Sequence, residues 1–481
     1  MRIDEANRPW WTLIGACSGL FLLMLDSTVV ALALSSIRAE LGASAAALQW
    51  VMNGYLLTIA VLVVTAGRLG DMFGRKRAFV VGMVLFAAGS VLSGAAQSPE
   101  MLIGGRVLQG IGAAPMLSLS LAIVCNAFPA AQQPRALGIW AAVSAVALAI
   151  GPVVGGALIA LDWRLIFWIN LPVVAIGLAI VVAAAPESTD PGAGRHIDLA
   201  GLLALTVGLS GIVLAMVQSR SWPAAVTAAL AFTGVLALAA FAWIERRVRN
   251  PIVEFALFRN GPYFGASAAA FAVVGSYWAV MFFQPQYLQD ARGHSAILSG
   301  LLILPVTAPM VFISPFSGRL IGRFGARGLM SAGMACGTAG LIVLTQIGSG
   351  SSYVELLAGY LLFGIAIGLV YAPMSTAAMA AMPAEKVGIA SGVLAMDRIV
   401  AGSLALAATG AAFHALQAQG ESFSASIAGS TWVSVALCGL GGVLTWIFVR
   451  DPEPPGPDPS VAGKPQPRAL QHHVHHHRFH L

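Results

Sequence analysis

The chain has 481 residues, 58% of them hydrophobic and 10% charged, with a formal net charge of +6 and a mean hydropathy of +0.83. So little polar surface cannot clothe a soluble domain, and the solvent for most of the chain is lipid. The positive balance is not a nucleic-acid face, since the cations are spread over short loops instead of being gathered on one surface with stacking aromatics.

Apolar runs recur at residues 11–34, 47–66, 78–96, 101–124, 136–160, 164–185, 198–217, 223–243, 263–287, 297–317, 328–347, 353–375, 388–413 and 427–449. As a helix rising about 1.5 Å per residue, each is long enough to cross a hydrocarbon core of roughly 30 Å. The runs predict an all-α polytopic membrane protein with fourteen transmembrane helices. No small-residue cleavage site follows the first run, which reads as a retained span rather than a signal peptide. If the amino terminus is cytoplasmic, the loops on that side hold Arg68, Arg75, Lys76, Arg77, Arg135, Arg195, Arg246, Arg247, Arg249, Arg259, Arg319, Arg323, Arg327 and Lys386, against Arg38, Arg164, Arg220 and Arg292 opposite. Lys and Arg accumulate on the cytoplasmic side, so both termini are expected there. Cys17, Cys125, Cys336 and Cys438 fall in apolar runs with no CxxC spacing and no His or acid nearby, which predicts small buried hydrophobes and no metal site.

Two stretches resemble each other: GRLGDMFGRKR from Gly67 to Arg77, and GRLIGRFGAR from Gly318 to Arg327. Both read as short basic loops after a helix, in the same place within two six-span units. The expected organisation is 6+2+6: a bundle over 1–190, two inserted helices with flanking loops over 191–260, a second bundle over 261–450 and a disordered cytoplasmic tail over 451–481. Repeats of this kind build two bundles that rock about a central site. The tail is proline-rich, lacks apolar periodicity and ends in a histidine cluster from His472 to His477. It reads as an unstructured appendage, with a metal-sensing tail as the alternative.

Charges inside spans are costly in lipid unless paired or hydrated, and are functional by default. Asp26, Arg106, Asp397 and Arg398 qualify. Counted along their helices, Asp26 lies about 12 Å and Arg106 about 9 Å from the outer ends. They share a depth and are expected to pair, or to alternate between pairing and separation. Desolvation favours a protonated carboxyl, whereas an approaching guanidinium or cationic substrate favours the ionised form, so proton and substrate compete at Asp26. A purely structural bridge is the alternative. Asp397 reads as a second protonation site or cation anchor, or as the neutraliser of Arg398; His414, near the outer helix end, reads as interfacial. Around Gly67 and Gly74 glycines permit a tight turn, while Arg75 and Arg77 can pair with Asp71 or with anionic headgroups, unless the stretch is only a positive-inside anchor. Gly151, Pro152, Gly155 and Gly156 fit either a pliable helix contact or ordinary packing of small residues. Trp50, Tyr55, Gln109, Trp140, Tyr277 and Phe282 are expected to line a substrate cavity with apolar and cation-π faces, packing or lipid exposure being the alternative for each.

On these motifs the sequence resembles the major facilitator superfamily, in its fourteen-span drug/proton antiporter branch, over about residues 20–450. The stretch from Gly67 to Arg77 is similar to the superfamily's strongest signature, and WRLIFWINLP from Trp163 to Pro172 is similar to a stretch typical of the branch. Leu25 to Leu34 and Arg106 to Gly110 resemble its first- and fourth-span motifs, with Ser35 where proline is customary. Gly138 and the stretch from Gly151 to Gly156 resemble its fifth-span antiporter motif, with Ala147 in place of a further glycine. Arg398, Trp50 and Tyr55 match branch positions; Asp397 does not. The resemblance implies a gating role for Gly67, Asp71, Gly74, Arg75 and Arg77. It further implies proton-coupled export of drugs or other lipophilic, often cationic, compounds by alternating access across the cytoplasmic (inner) membrane of a bacterium. No cofactor is expected beyond the proton gradient. Expected partners are a small-molecule substrate, protons and membrane lipids, with an accessory periplasmic protein in a Gram-negative cell; a monomer that binds no nucleic acid is expected. The rivals are a dedicated exporter of one endogenous metabolite (an antibiotic, lipid or siderophore) and a proton-coupled importer. A nucleotide-driven pump lacks its GxxxxGK[ST] loop here, and a membrane enzyme its HExxH, GxSxG or clustered His and Asp, so the chain does not read as an enzyme.

Overall fold

The computed structural model describes residues 4, 5, 7–129, 132–189, 198–248, 251–313, 316–348, 350–383 and 386–450. The tail with its histidine cluster, Arg195 and Arg249 lie outside the described residues.

Fourteen helices are long and apolar enough to cross a membrane, and no strand occurs among the described residues. They are α1 (Arg8–Leu41), α2 (Ala45–Phe73), α3 (Arg75–Gly94), α4 (Pro99–Ala127), α5 (Gln133–Ile159), α6 (Leu165–Ala184), α7 (Leu199–Val217), α8 (Ala224–Glu245), α9 (Gly261–Gln286), α10 (Ala296–Ile313), α11 (Ser317–Leu344), α12 (Tyr353–Ala380), α13 (Val387–Ala418) and α14 (Phe423–Phe448). Local chemistry sets several ends. The Ser44 and Ser98 hydroxyls accept from the backbone N–H groups of Ala47 and Met101, capping α2 and α4, and Pro99 opens the first turn of α4.

Left-handed glycines mark the internal repeat. Gly42 (φ 62°) ends α1 and Gly293 (φ 67°) follows α9; Gly74 (φ 118°) separates α2 from α3, and Gly325 (φ 73°) breaks α11. The members of each pair are 251 residues apart (293 − 42 and 325 − 74). Only glycine adopts these angles without strain, so the two halves share their turns as well as their apolar runs. The expectation of a basic loop from Gly67 to Arg77 needs correction: Gly67 to Phe73 continue α2, Arg75 to Arg77 begin α3, and Gly74 alone leaves the helix.

Packing follows the same repeat. In the first half α1 lies against α4, α5 and α6, and α3 against α4; in the second α9 lies against α12, α13 and α14, and α11 against α12. The halves meet where α2 crosses α13 and where α5 crosses α10. The inserted helices α7 and α8 form a hairpin closed by Gly208, Gly211 and Gly234, where a Cβ would collide with the facing helix. Its α7 touches both α2 and α13, so the hairpin covers that seam, while α8 is largely exposed.

Candidate functional site

The first half buries a charge network in its core. Asp26 on α1 and Arg106 on α4 are both 0% exposed, with Arg106 Nη1 donating to Asp26 Oδ2 at 2.5 Å. The same nitrogen donates to Gln109 Oε1 (2.8 Å), Arg106 Nε donates to the Val51 carbonyl (3.1 Å), and the guanidinium carbon lies 4.1 Å from the Tyr55 ring centroid. Asp26 Oδ1 accepts from Gln109 Nε2 (3.2 Å) and Asn170 Nδ2 (3.3 Å), and both amides also donate to Ser90 Oγ (2.9 and 3.2 Å). Five helices, α1, α2, α3, α4 and α6, therefore converge on one carboxylate and one guanidinium.

This arrangement answers the main cost of burying charge. Two ions out of water are tolerable only when paired and hydrogen-bonded, and here each carboxylate oxygen has at least one donor. Arg106 Nη2 and Asn170 Oδ1 remain buried without a hydrogen-bond partner.

The structure sorts the other expected site residues. Gln109 is 0% exposed and belongs to the charge network, as do Tyr55 and the unanticipated Ser90 and Asn170. Phe282 packs edge-on against Phe283 (4.8 Å) in the core of α9. Tyr277 is buried against Trp278, Trp140 Nε1 donates to Ser120 Oγ (3.3 Å), and Trp50 is half-buried. Asp397 and Arg398 form no ion pair among the described residues: Asp397 Oδ2 is buried without a hydrogen-bond partner, and Arg398 lies 5.3 Å from the Tyr371 ring.

At the Gly74 end, Arg75 Nε donates to Asp71 Oδ1 (2.7 Å) within the turn. Sequence reading missed the anchor of this turn, Glu187, which follows α6. Its carboxylate accepts from the N–H groups of Lys76 (3.0 Å) and Arg77 (3.3 Å), satisfying first-turn donors of α3, while Arg75 N–H donates to the Ser188 carbonyl (2.9 Å). A Cβ on Gly74 would come within 2.8 Å of the Glu187 carboxyl carbon. At the opposite, Gly42 end the two halves are bonded together. Arg38 reaches Asp290 (2.7 Å) and Gln286 (2.8 Å), Gln289 donates to the Leu32 carbonyl (2.9 Å), and Gln49 meets His414 (3.2 Å); deeper, Ser403 bonds Asn53 (3.1 Å). His414 therefore belongs to the contact between halves.

The fifth-helix motif sits at that contact too. A Cβ on Gly151 or Gly155 would collide with Thr28 or Val29 of α1, and one on Gly156 with the backbone of Ala296 and Ile297 in α10. Gly138 has no such neighbour within 4 Å.

Comparison with known proteins matches this architecture. The Major Facilitator Superfamily profile covers residues 16–406. The chain belongs to the major facilitator superfamily. It is 36% identical over 397 residues to multidrug resistance protein Stp of Mycobacterium tuberculosis, covering 82% of this chain and 74% of that one. It is 34% identical over 404 residues to the tetracenomycin C resistance and export protein of Streptomyces glaucescens, covering 83% and 74%. Among solved structures, a bacterial homolog of the human lysosomal transporter Spinster superposes with a TM-score of 0.68 at 16% identity, covering 93% of this chain and 99% of that one. The chain is thus a superfamily transporter of the drug-resistance type that handles small molecules, a multi-pass membrane protein and not an enzyme.

Proposed function

We propose that this transporter is a proton-coupled antiporter that exports lipophilic compounds, cationic ones among them, across the cytoplasmic membrane by alternating access. The observation that carries the reading is the fully buried Asp26–Arg106 pair with its amide partners, a charged site that packing alone does not need. In this cycle a proton taken up by Asp26 releases the Arg106 guanidinium, and loss of that proton re-forms the pair. Proton and substrate then bind alternately, and the gradient drives export.

The asymmetry of Lys and Arg supports an orientation with both termini and the Gly74 end in the cytoplasm. In it, the bonds between Arg38, Asp290, Gln286, Gln49 and His414 close the outward side. The turn braced by Glu187, with Gly67, Asp71, Gly74, Arg75 and Arg77, is the cytoplasmic gating element. Asp397, with its unpartnered buried oxygen, is a second proton or cation site in the second half. The transporter works as a monomer, with an accessory periplasmic protein if the cell is Gram-negative.

Inside-out vesicles with an imposed pH gradient test this reading: substrate-dependent proton release is expected with lipophilic cations, and its absence across a broad panel would overturn proton coupling. A second reading, export of one endogenous metabolite, is favoured by the relative whose name couples tetracenomycin C resistance with export. It predicts transport of a single compound class in the same assay.

A further inference from the structure

Along the Gly74-side halves of α1 and α5, and reaching the middle of α6 at Val173, runs a groove that the charge network does not use. Its volume is about 520 Å³, within the usual range for small-molecule sites of roughly 300–1,000 Å³. Trp10, Leu13, Cys17 and Phe21 of α1, Val143 of α5 and Val173 of α6 line it. The one hydroxyl in its wall, Ser18, already donates to the Gly15 carbonyl at 2.7 Å. The groove exists because close contacts are placed unevenly. Gly151 and Gly155 press α5 onto α1 at Thr28 and Val29, and Gly15 seats α6 against α1 at Val181. Towards the Gly74 end α5 and α6 leave a gap between them, in which Ile14 is 47% exposed.

From Trp10 to Phe21 the groove follows α1 for about 16 Å, close to half of a hydrocarbon core of roughly 30 Å, so it is one leaflet deep. Its mouth is cationic. The Arg135 guanidinium lies 5.2 Å from the Trp10 ring centroid, Arg8 is exposed with its Nε on the Ala184 carbonyl, and the amino-terminal ends of α1 and α5 both point there. Arg8 and Arg135 flank the groove without lining it, and the exposed Asp4 and Glu5 precede α1 at the same end, with the Asp4 carbonyl accepting from the Arg8 N–H (3.0 Å).

We propose that this groove binds one anionic phospholipid from the leaflet on the Gly74 side, with an acyl chain along α1 and the phosphate held by Arg8 and Arg135. The site is independent of proton coupling, and its test reads lipid rather than transport. Native mass spectrometry of the purified protein should show phosphatidylglycerol retained over phosphatidylethanolamine. Arg8→Gln and Arg135→Gln should each lower that retention about fivefold, the weight of one cation near a membrane surface, with phosphatidylethanolamine unaffected. Arg135→Gln keeps the test valid if loss of the Arg8 bond to Ala184 harms folding. A phosphatidylglycerol with a photoreactive acyl chain should label α1 between residues 10 and 21, and Val143→Trp, which fills the groove, should remove that label. Equal retention of the two lipids, labelling elsewhere, or a label that survives Val143→Trp would overturn the proposal. So would displacement of the lipid by a lipophilic cation, which would make the groove a substrate site.

Discussion

Asp26→Asn is the most informative perturbation, because it changes charge and hardly changes shape. The new amide keeps the volume but turns one of two acceptor oxygens into a donor, although Arg106 donates to one and Gln109 and Asn170 to the other, and a full positive charge on a 0% exposed Arg106 loses its counter-ion. Removing one partner of a buried pair costs about 3–5 kcal/mol. Arg106 keeps the Val51 carbonyl, the Gln109 oxygen and the Tyr55 ring, and a desolvated cation-π contact is worth about 2 kcal/mol, so a loss near the lower limit, about 3 kcal/mol, is expected. Asp26→Asn with Arg106→Gln removes both charges and should recover most of that stability, because no uncompensated ion remains. Melting in detergent reads the stability; proteoliposomes read transport, once with a pH gradient and once as substrate exchange without one. Both variants should lose gradient-driven transport, and the single variant should retain exchange. Full gradient-driven transport by Asp26→Asn would refute the coupling role, and a double variant no more stable than the single one would refute the electrostatic argument.

Gly74→Ala should melt several degrees lower, because its φ of 118° and the neighbouring Glu187 carboxyl both oppose a Cβ, whereas Gly138→Ala should be neutral or stabilising by up to about 1 kcal/mol, as expected for an open helical glycine. Arg38→Gln and Asp290→Asn should be non-additive by no more than about 1 kcal/mol in melting, since the pair is part-exposed, yet each should shift spin-label distances between α1 and α9 at the Gly42 end towards separation. Asp397→Asn should keep gradient-driven transport but lower the number of protons per substrate, read from the reversal potential; an unchanged stoichiometry would remove the second-site reading.

How much of this was legible in the sequence differs by feature. Apolar runs reveal spans because lipid forces each to satisfy its backbone internally, but they do not reveal where helices end. Beyond the run ending at residue 34, α1 continues to Leu41, its polar end held by Arg38 on Asp290 and by Glu40, which accepts from Trp163 Nε1 and Arg164. Asp26 is consequently about 22 Å from the end of its helix, not about 12 Å. Asn170 stands in the sequence as an amide in an apolar stretch, and an uncharged buried amide needs partners just as a charge does. Glu187 gave no local signal, since its value lies in donors 110 and 111 residues earlier in the chain.

The fifth helix connects the buried charge to the surface on which the halves meet. Gly151 and Gly155 touch α1 at Thr28 and Val29, within one helical turn of Asp26, while on the neighbouring face the Pro152 carbonyl and Gly156 touch Gly300, Ala296 and Ile297 of α10. Side chains at these glycines would hold the helices apart; without them the α5 backbone lies on the α10 backbone and on the stiff β-branched Thr28 and Val29 side chains of α1, so a small shift of α1 is transmitted with little soft material to absorb it. If protonation of Asp26 loosens α1 from α4, as proposed, α5 is the element that carries the displacement to the second half. Coupling then requires close approach on both faces of α5. Enlarging Gly151 alone should disturb the charge network and enlarging Gly156 alone the contact between halves, two lesions that reach the same loss of transport from opposite sides of one helix.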